Sequence, residues 1–387
     1  MGKFRRRAGR AASALLVLLA ALALVLRPND AIEYAKQGLT LCGGVIIPSL
    51  FPFFVLSSMV VELGLARYIG MIFERIMRPL FGVSGACATA LALGFVGGYP
   101  TGARTAIMIY EKGLCTKEEA ERMLAFCNNS GPAFILGVVG AGVFGSGMAG
   151  LLLYLAHALA SIIVGIIFRV FSPKKAQTSP DGSARITAEA NRLAPAFGAS
   201  VSSALNATLG ICAFVVFFTV VIKMLMQLGA IPFAAGLLSK LPFLDERSAT
   251  QLLTGLIEIS SGVWSLADAA GGLRQDLALA AFMLGWAGLS VHCQVLGFIG
   301  RSELSARPYI LGKLLHGVVS AALVWCVAGL FRFDTPVSSI LVTQVAGTAG
   351  LGFSSALMLS IIPAAMLVIA VLLASALSRR THRRSRF

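Results

Sequence analysis

Residues 84–110, SGACATALALGFVGGYPTGARTAIMIY, consist of two apolar stretches separated by glycines, a tyrosine and a proline. Residues 248–272, SATQLLTGLIEISSGVWSLADAAGG, repeat this pattern about 160 residues later, with a glutamate and two serines at the centre. Each half forms roughly 18 Å of helix at 1.5 Å per residue, whereas a hydrocarbon core is roughly 30 Å thick. Irregular backbone at that depth is tolerated only where protein or a cavity surrounds it. The two stretches therefore predict broken or re-entrant helices, the arrangement that marks binding sites in transporters.

Composition places the chain among multi-pass membrane proteins. Hydrophobic residues make up 57% and charged residues 13% of the 387, and the mean hydropathy is +0.85, as is typical of that class. The net charge of +15 is concentrated at the ends, because MGKFRRRAGR and SRRTHRRSRF each carry five basic residues. Each tail has a single phenylalanine, Phe4 or Phe387, and so lacks a series of aromatic stacking platforms between the charges. The tails therefore indicate positive-inside anchoring in the cytoplasm rather than nucleic-acid binding.

The cysteines and the N-terminal segment bear on metal sites, disulfides and membrane anchoring. The seven cysteines form no CxxC pair, so the sequence predicts neither a disulfide framework nor a metal site. Residues 11–27, behind the N-terminal arginines, have the form of a signal sequence. We expect an uncleaved signal anchor because further apolar spans follow, while residues 21–23 (ALA) leave open a cleavage site.

Charge and hydropathy predict an all-α polytopic protein with about eight crossings and both termini in the cytoplasm. The crossings are expected at residues 11–27, 39–62, 123–145, 149–171, 203–228, 277–300, 309–331 and 355–377. Residues 28–37 and an interfacial segment at 230–247 would be external, and residues 66–79 would lie in the cytoplasmic interface. Thr116 and Glu119 have the spacing of a capping box, so a helix should begin there.

The same pattern divides the chain into five segments. A basic tail with the signal anchor occupies residues 1–37, and a polar, Pro- and Ser-rich linker occupies residues 172–196. The linker separates a first repeat (38–171) from a second (197–332), and a C-terminal transmembrane segment with a basic tail follows (333–387). Within that last segment, the role of residues 337–353 is left undefined.

The two halves are expected to be inverted repeats with re-entrant helical hairpins. An offset of 160 residues pairs Ser130 with Ser290, and an offset of 159 pairs His157 with His316. The histidine match is informative because the chain has only four histidines. Each half contains an odd number of crossings, so the second copy must be inverted. Inverted copies bring both hairpin tips toward the midplane from opposite sides, as alternating access requires.

The first hairpin tip carries candidate substrate-binding residues. Glycines allow close backbone approach, and the helix that restarts after Pro100 points its N-terminus into the protein. Arg104, one turn further on, either adds a fixed charge at the site or snorkels to the cytoplasmic interface. The residues predicted to bind substrate here are Gly98, Tyr99, Thr101, Gly102 and Arg104.

Asn128, Asn129 and Ser130 lie inside the crossing at 123–145, before a Gly-Pro pair. They should unwind this helix and restart it with Pro132 at its first position. One of them could simply cap the restarted helix. Two consecutive asparagines exceed what capping requires, so we expect contact with substrate or an ion.

In the second half, Glu258 is the only acidic residue of residues 249–267. It is predicted to serve ion coupling, by holding a cation or proton or by neutralising His292 or Arg104, and a structural ion pair is the alternative. His292 is either a proton relay or a packing residue, whereas His157 and His316 are expected to pack or to hydrogen-bond. The further residues predicted to bind substrate are Ser260, Ser261, Ser290, His292 and Gln294.

No nucleophile elbow, phosphate loop, HExxH or paired-carboxylate arrangement is present in the sequence. We therefore expect no enzyme activity, no catalytic residue and no cofactor. The expected partners are a small anionic substrate, the lipid bilayer and a coupling cation or proton, with a homo-oligomer left open.

Four motifs occur in the order GGYPTGAR, CNNSGPAFILGVVG, GLIEISSG and GLSVHCQVLGFIG. They resemble sporulation integral membrane proteins of the YlbJ/SpoVV type over roughly residues 38–332. That family carries the nucleoside-recognition "gate" domain in duplicate, a domain shared with concentrative nucleoside transporters. The resemblance implies a transporter in the outer forespore membrane of a bacterium that moves dipicolinic acid into the developing spore. By analogy with the nucleoside transporters, it implies that the hairpin tips and unwound helices hold the substrate.

The substrate implied by the resemblance agrees with the predicted site. Dipicolinate is a small planar dianion, and each carboxylate needs charge-assisted donors to offset its desolvation. Helix N-termini, amides, hydroxyls and one arginine suit a dianion better than a neutral nucleoside. A nucleoside or other metabolite carrier, or a non-transporting spore-envelope assembly protein, remains the alternative.

Overall fold

The computed structural model describes residues 24–63, 65–171, 193–240, 244–267 and 272–329, together with Leu18 and Leu22. All regular secondary structure within these ranges is helical, as predicted. The predicted crossing at 355–377 and the segment 337–353 lie outside the described residues, and the crossing at 11–27 lies largely outside them.

The helices of the first half follow the predicted breaks. They are α1 (Pro28–Leu41), a π-helical turn (Cys42–Ile46), α2 (Ile47–Glu62), α3 (Leu65–Phe81), a 3₁₀ turn (Gly85–Cys87), α4 (Ala88–Gly97), α5 (Thr101–Glu111), α6 (Lys117–Leu124), a π-helix (Ala133–Val143) and α7 (Gly147–Val170). The second half contains α8 (Leu193–Gln227), α9 (Ala230–Leu238), α10 (Glu246–Ile257), α11 (Ile259–Trp264), α12 (Leu273–Trp286), α13 (Gly288–Ile299) and α14 (Arg307–Ala328).

Several helices are long and apolar enough to cross a bilayer. Among the described residues, four meet the requirement for length and composition: Gly147–Val170, Leu193–Gln227, Leu273–Ile299 and Arg307–Ala328. Met71–Phe81 and Gly85–Gly97 form a fifth candidate, bent by 93°. These spans are those of an integral membrane protein, and the full count of eight crossings stays a prediction.

The helix ends reflect local sequence. The predicted capping box is confirmed, because Thr116 accepts from the backbone N–H of Glu119 at 3.2 Å and the Glu119 carboxylate accepts from that of Thr116 at 3.0 Å. Residues 28–37 are helical, with Pro28 in the first turn, where no intrahelical N–H is required. Helix α8 begins at Leu193, inside the predicted linker, because Pro195 is likewise tolerated in a first turn.

Contacts between helix ends group the connecting segments on two sides of the molecule. On one side, the backbone N–H of Ser305 donates to Glu121 at 2.8 Å, and Lys112 forms an ion pair with Glu62 at 3.0 Å. On the other side, Gln227 donates to Asp30 at 2.9 Å. Each contact joins segments that the charge pattern assigns to the same side. Which side faces the cytoplasm stays a prediction.

The main hydrophobic core surrounds the interrupted helices. Its buried side chains come from α3 to α7, the 3₁₀ turn, the π-helix and α11 to α14. A smaller cluster joins α2 and the π-helical turn to α8. The segments with broken backbone are therefore enclosed by protein, as irregular backbone at membrane depth requires.

Candidate functional site

Hairpin 1, formed by α4 and α5, turns at Gly98, Tyr99 and Pro100. Gly98 has φ +74°, which favours glycine, and the Tyr99–Pro100 peptide bond is cis. A Cβ atom on Gly102 would lie 2.0 Å from the carbonyl oxygen of Cys127. Hairpin 1 therefore packs directly, backbone on backbone, against the next interrupted helix, and only glycine fits at this contact.

Break 1 is the unwound segment between α6 and the π-helix, and it includes Asn128, Asn129 and Ser130. Regular helix ends at Leu124 and resumes at Pro132, so the predicted interruption is confirmed. The Asn129 amide donates to Phe126 O at 3.1 Å and to Ser161 Oγ at 3.3 Å. Asn129 thus stabilises the unwound backbone after α6; no side chain caps the restarted helix.

Asn128 differs from its neighbour because its side chain is fully buried without a strong partner. Its carboxamide lies beside the Tyr309 hydroxyl. Neither Oδ1 nor Nδ2 makes a hydrogen bond of normal geometry to the described residues. A buried amide without partners costs about 1–3 kcal/mol, so this position is the stronger candidate for a ligand contact.

Lys313 of α14 reaches break 1 and the tip of hairpin 1. Its Nζ lies 2.9 Å from the Asn128 carbonyl oxygen, 3.0 Å from the Tyr99 hydroxyl and 3.4 Å from His316 Nδ1. It also lies 4.7 Å from the centroid of the Tyr99 ring. Lys313 is 0% exposed, and none of the described carboxylates forms an ion pair with it. A buried ammonium surrounded only by neutral acceptors is an electrostatic site for an anion.

Tyr99 joins the two halves of the chain. Its hydroxyl donates to the carbonyl oxygen of Leu284, in the last turn of α12, and accepts from Lys313. The tip of hairpin 1, break 1 and the end of α12 therefore meet at one polar cluster. We call it the Lys313 cluster; its members are Tyr99, Asn128, His157, Lys313 and His316.

The two histidines that the sequence alignment pairs lie against each other in this cluster. The ring centroids of His157 and His316 are 4.3 Å apart, and His316 Nε2 lies 2.9 Å from the His157 carbonyl oxygen. His157 Nε2 accepts from the backbone N–H of Ser130 at 3.0 Å. Both residues pack and hydrogen-bond, as predicted, and they also connect break 1 with Lys313.

Hairpin 2, formed by α10 and α11, turns at Glu258. The carboxylate accepts from the backbone N–H groups of Ser260 at 2.9 Å and Ser261 at 2.7 Å, so it caps α11. Within the described part of the chain it forms no ion pair with His292 or Arg104. The geometry assigns Glu258 to capping; its predicted role in ion coupling stays a prediction.

Break 2, between α12 and α13, is shorter than break 1; Ala287 and Gly288 both have φ 78° there. A Cβ on Gly288 would lie 3.0 Å from the backbone nitrogen of Ile259, so break 2 packs on the tip of hairpin 2. His292 Nδ1 lies 2.9 Å from the Tyr309 hydroxyl. Beyond the break the backbone is helical again, and it carries the predicted residues Ser290, His292 and Gln294, all buried.

Arg104 is buried in hairpin 1 and does not snorkel. It is 7% exposed, donates through Nη2 to the Ser203 hydroxyl of α8, and lies 5.3 Å from the centroid of the Phe54 ring. Its Nη1 has no hydrogen-bond partner among the described residues. The snorkelling alternative is therefore wrong, and a second buried cation is open to a ligand.

The structure brings together some predicted residues and not others. Gly98, Tyr99, Gly102, Asn128, Asn129 and Ser130 lie at the contact between hairpin 1 and break 1. Thr101 is buried there with an unpartnered hydroxyl. In the described structure, no hydrogen bond joins Ser260, Ser261, Ser290 or Gln294 to the Lys313 cluster. Each hairpin therefore contacts the break of its own half, and Tyr99 links hairpin 1 to α12; the convergence of all four interruptions on one substrate stays a prediction.

A surface depression of about 490 Å³ lies apart from these residues. It is lined by Tyr110, Glu111, Gly113, Cys115, Arg301, Ser302 and Glu303. None of them is among the predicted site residues.

Lys313 is not among the site residues predicted from the sequence. It is the only charged residue of the predicted crossing 309–331, and a lone charge within a span was the signal that identified Glu258. Its position in the second turn of α14 placed it close to a helix end, where lysine usually snorkels.

Comparison with known proteins gives a family-level result. Residues 44–173 match the domain family described as Gate: Nucleoside recognition. The sporulation integral membrane protein YlbJ of Bacillus subtilis (strain 168) is 32% identical over 320 residues, which cover 78% of each chain. A solved structure of a CNTnw variant in the intermediate 1 state aligns with a TM-score of 0.42 and 13% identity, over 84% of this chain and 86% of that chain. This last similarity is too weak to support an argument.

Proposed function

Because the chain belongs to the family of sporulation integral membrane proteins that includes YlbJ, we propose that it transports a small organic dianion, dipicolinate, into the developing spore. The protein is a carrier without enzymatic activity in this proposal. It lies in the outer forespore membrane with both termini in the cytoplasm.

The observation that carries this proposal is the environment of Lys313. A charge removed from water costs several kcal/mol unless it is paired. Lys313 is 0% exposed and contacts a hydroxyl, a carbonyl oxygen and an imidazole nitrogen, all of them neutral. A carboxylate of the substrate would supply the missing negative charge.

A second cation favours a dianion over a neutral solute. Arg104 lies on α5, as does Thr101, and has a buried Nη1 without a partner. The N-terminal end of α5 also favours negative charge. Two carboxylates need two sets of charge-assisted donors; in this proposal Lys313 of α14 supplies one set and Arg104 of α5 the other.

Access to Lys313 requires hairpin 1 to move. Tyr99 covers the amine and is held by Leu284 on the other half of the chain. Displacement of the tip would break these contacts and admit the substrate. Inverted repeats would then give the same opening on the opposite side. The contact between the His157 and His316 rings and the glycine contacts at the two breaks support such a pseudo-symmetric pair.

A nucleoside carrier is the second candidate. The match of residues 44–173 to a nucleoside-recognition domain favours it. The two buried cations argue against a neutral substrate, since a nucleoside would leave both charges uncompensated.

The test is uptake by vesicles that contain the purified full-length protein. Labelled dipicolinate and labelled uridine are offered separately. We expect uptake of dipicolinate, its loss on Lys313→Met, and a large reduction on Arg104→Gln. Lys223→Met, a matched change at an exposed position of α8, should leave uptake unchanged. Uptake of uridine alone would support the nucleoside carrier, and uptake of neither would support a non-transporting assembly protein.

A further inference from the structure

We propose that Lys313 carries the coupling proton, so that each anion enters together with a proton bound at Nζ. This inference rests on the proposed function and extends it to the driving ion. It differs from the prediction that Glu258 couples ion flow.

Nζ of Lys313 has three hydrogen-bond partners, one for each N–H of an ammonium group. An ammonium has three N–H donors and no acceptor. The Tyr99 hydroxyl donates its hydrogen to Leu284 O, so its oxygen accepts from Lys313. The Asn128 carbonyl oxygen is the second acceptor. The third is His316 Nδ1.

The tautomer of His316 is fixed by its other nitrogen. Nε2 lies 2.9 Å from the His157 carbonyl oxygen, which only accepts, so the Nε2 atom carries the hydrogen. In the neutral ring Nδ1 is then an acceptor, and it faces Lys313 at 3.4 Å. His316 thus accepts a hydrogen bond from the ammonium and adds no charge of its own.

Charge balance makes protonation and anion binding depend on each other. With the anion bound, the ammonium is paired; without it, a bare charge is buried among neutral groups, which costs several kcal/mol. Two ligands that each raise the affinity for the other do so by the same factor. The anion and the proton therefore bind and leave together.

Release of the proton is a single balanced step. When the anion leaves, one N–H bond of Lys313 breaks and the proton passes to a water molecule that the opened hairpin 1 admits; the water becomes hydronium and Lys313 becomes a neutral amine. His316 stays neutral, with its Nε2–H bonded to the His157 carbonyl oxygen. The hydronium ion leaves on the side on which the anion was released.

Other titratable groups around Lys313 come from hairpin 1, break 1, α7, α13 and α14. Hairpin 1 contributes a tyrosine, break 1 a cysteine, α7 and α13 one histidine each, and α14 itself a tyrosine and a histidine. These residues are Tyr99, Cys127, His157, His292, Tyr309 and His316. None is a carboxylate. Glu258 uses both of its oxygens for capping.

The experiment uses the full-length protein in vesicles with an internal pH-sensitive dye and a clamped membrane potential. We expect dipicolinate entry to acidify the lumen, and an inward gradient of one pH unit to raise accumulation about tenfold, since tenfold corresponds to 1.4 kcal/mol. Uptake without acidification and without response to the gradient would overturn the inference and leave the proposed function intact. Absence of uptake of both dipicolinate and uridine would overturn both.

Two variants locate the proton. Lys313→Arg places a permanent cation at the site, so exchange of external for internal dipicolinate should persist. The inward pH gradient should no longer raise accumulation in this variant, whereas it raises it about tenfold in the unaltered protein. Lys313→Met should lose both exchange and accumulation. Lys112→Arg, the matched control in a surface ion pair, should behave as the original protein.

Glu258→Gln separates the two coupling candidates. This variant should keep the full response to the pH gradient. Loss of that response in Glu258→Gln, together with its retention in Lys313→Arg, would overturn the inference and assign coupling to Glu258. If Lys313→Arg does not reach the membrane, the proton flux of the unaltered protein and the Glu258→Gln result decide the question.

Discussion

Replacing Glu258 tests whether this carboxylate holds the tip of hairpin 2 together. Its two oxygens accept from the backbone N–H groups of Ser260 and Ser261 at 2.9 and 2.7 Å, and the residue is 6% exposed. Glu258→Ala would leave two buried donors without acceptors, at about 1–3 kcal/mol each. Measured N-cap truncations cost about 0.5–2 kcal/mol, so we expect a loss of about 2–4 kcal/mol.

The assay is thermal unfolding of the purified protein in detergent. At roughly 1.2 °C per kcal/mol for a chain of 387 residues, Glu258→Ala should lower the Tm by about 2–5 °C. Glu258→Gln keeps one acceptor oxygen and should lose about half of that stability. Glu246→Ala, at an exposed position in the first turn of α10, is the matched control and should change stability by less than about 0.5 kcal/mol.

An unchanged Tm in Glu258→Ala would refute the capping role. If Glu258→Gln instead keeps its Tm but loses substrate accumulation, the carboxylate is required for its charge. That result would support the predicted coupling role. The pair of measurements therefore separates a structural from a transport function at one residue.

Three further changes probe hairpin 1, break 1 and the capping box. Gly102→Ala places a Cβ 2.0 Å from the Cys127 carbonyl oxygen, so hairpin 1 cannot dock and uptake should be lost, as measured in vesicles. His157→Leu removes the acceptor for a buried backbone N–H of break 1 and should lower the free energy of unfolding by about 1–3 kcal/mol, measured by chemical denaturation. Thr116→Ala should cost about 0.5–2 kcal/mol, measured as a lower Tm.

Each of these changes has a control or a contrary result. Gly210→Ala, where an added Cβ meets nothing within 4 Å, should leave uptake and Tm unchanged. Normal uptake by Gly102→Ala would contradict the direct backbone contact. His157→Asn should recover part of the lost stability if the missing acceptor is the cause. Thr116→Ser preserves the cap and should match the unaltered protein.

The interruptions of the helices could be predicted from the sequence because their causes are local. Pro100 and the glycines before it cannot continue a helix, and Gly131 with Pro132 acts in the same way. The capping box at Thr116 is likewise a short-range pattern. These signals depend on backbone sterics within a few residues, so they do not require the fold to be known.

Lys313 could not be assigned in the same way because its role depends on distant residues. Its three acceptors are on hairpin 1, break 1 and one turn further along α14. A lysine near a helix end usually snorkels to the membrane surface. In the folded protein, packing buries the Lys313 amine instead. The repeat alignment pairs His157 with His316, which are members of the Lys313 cluster, but it does not indicate the lysine itself.

The surroundings of Arg104 and Glu258 also depend on packing between distant parts of the chain. Both were singled out as charges within apolar stretches, which is a composition signal. The structure gives them different surroundings: Arg104 keeps a free Nη1, while both oxygens of Glu258 are occupied by backbone donors. One sequence signal therefore identified two residues with different expected roles.

The position of the Tyr99 hydroxyl constrains how switching can proceed. It is hydrogen-bonded to both Lys313 of α14 and Leu284 of α12, so its withdrawal would break contacts with both helices at the same time. In the proposed carrier, a tip that must release both contacts together would favour an all-or-none conformational cycle, which would limit leakage of the substrate.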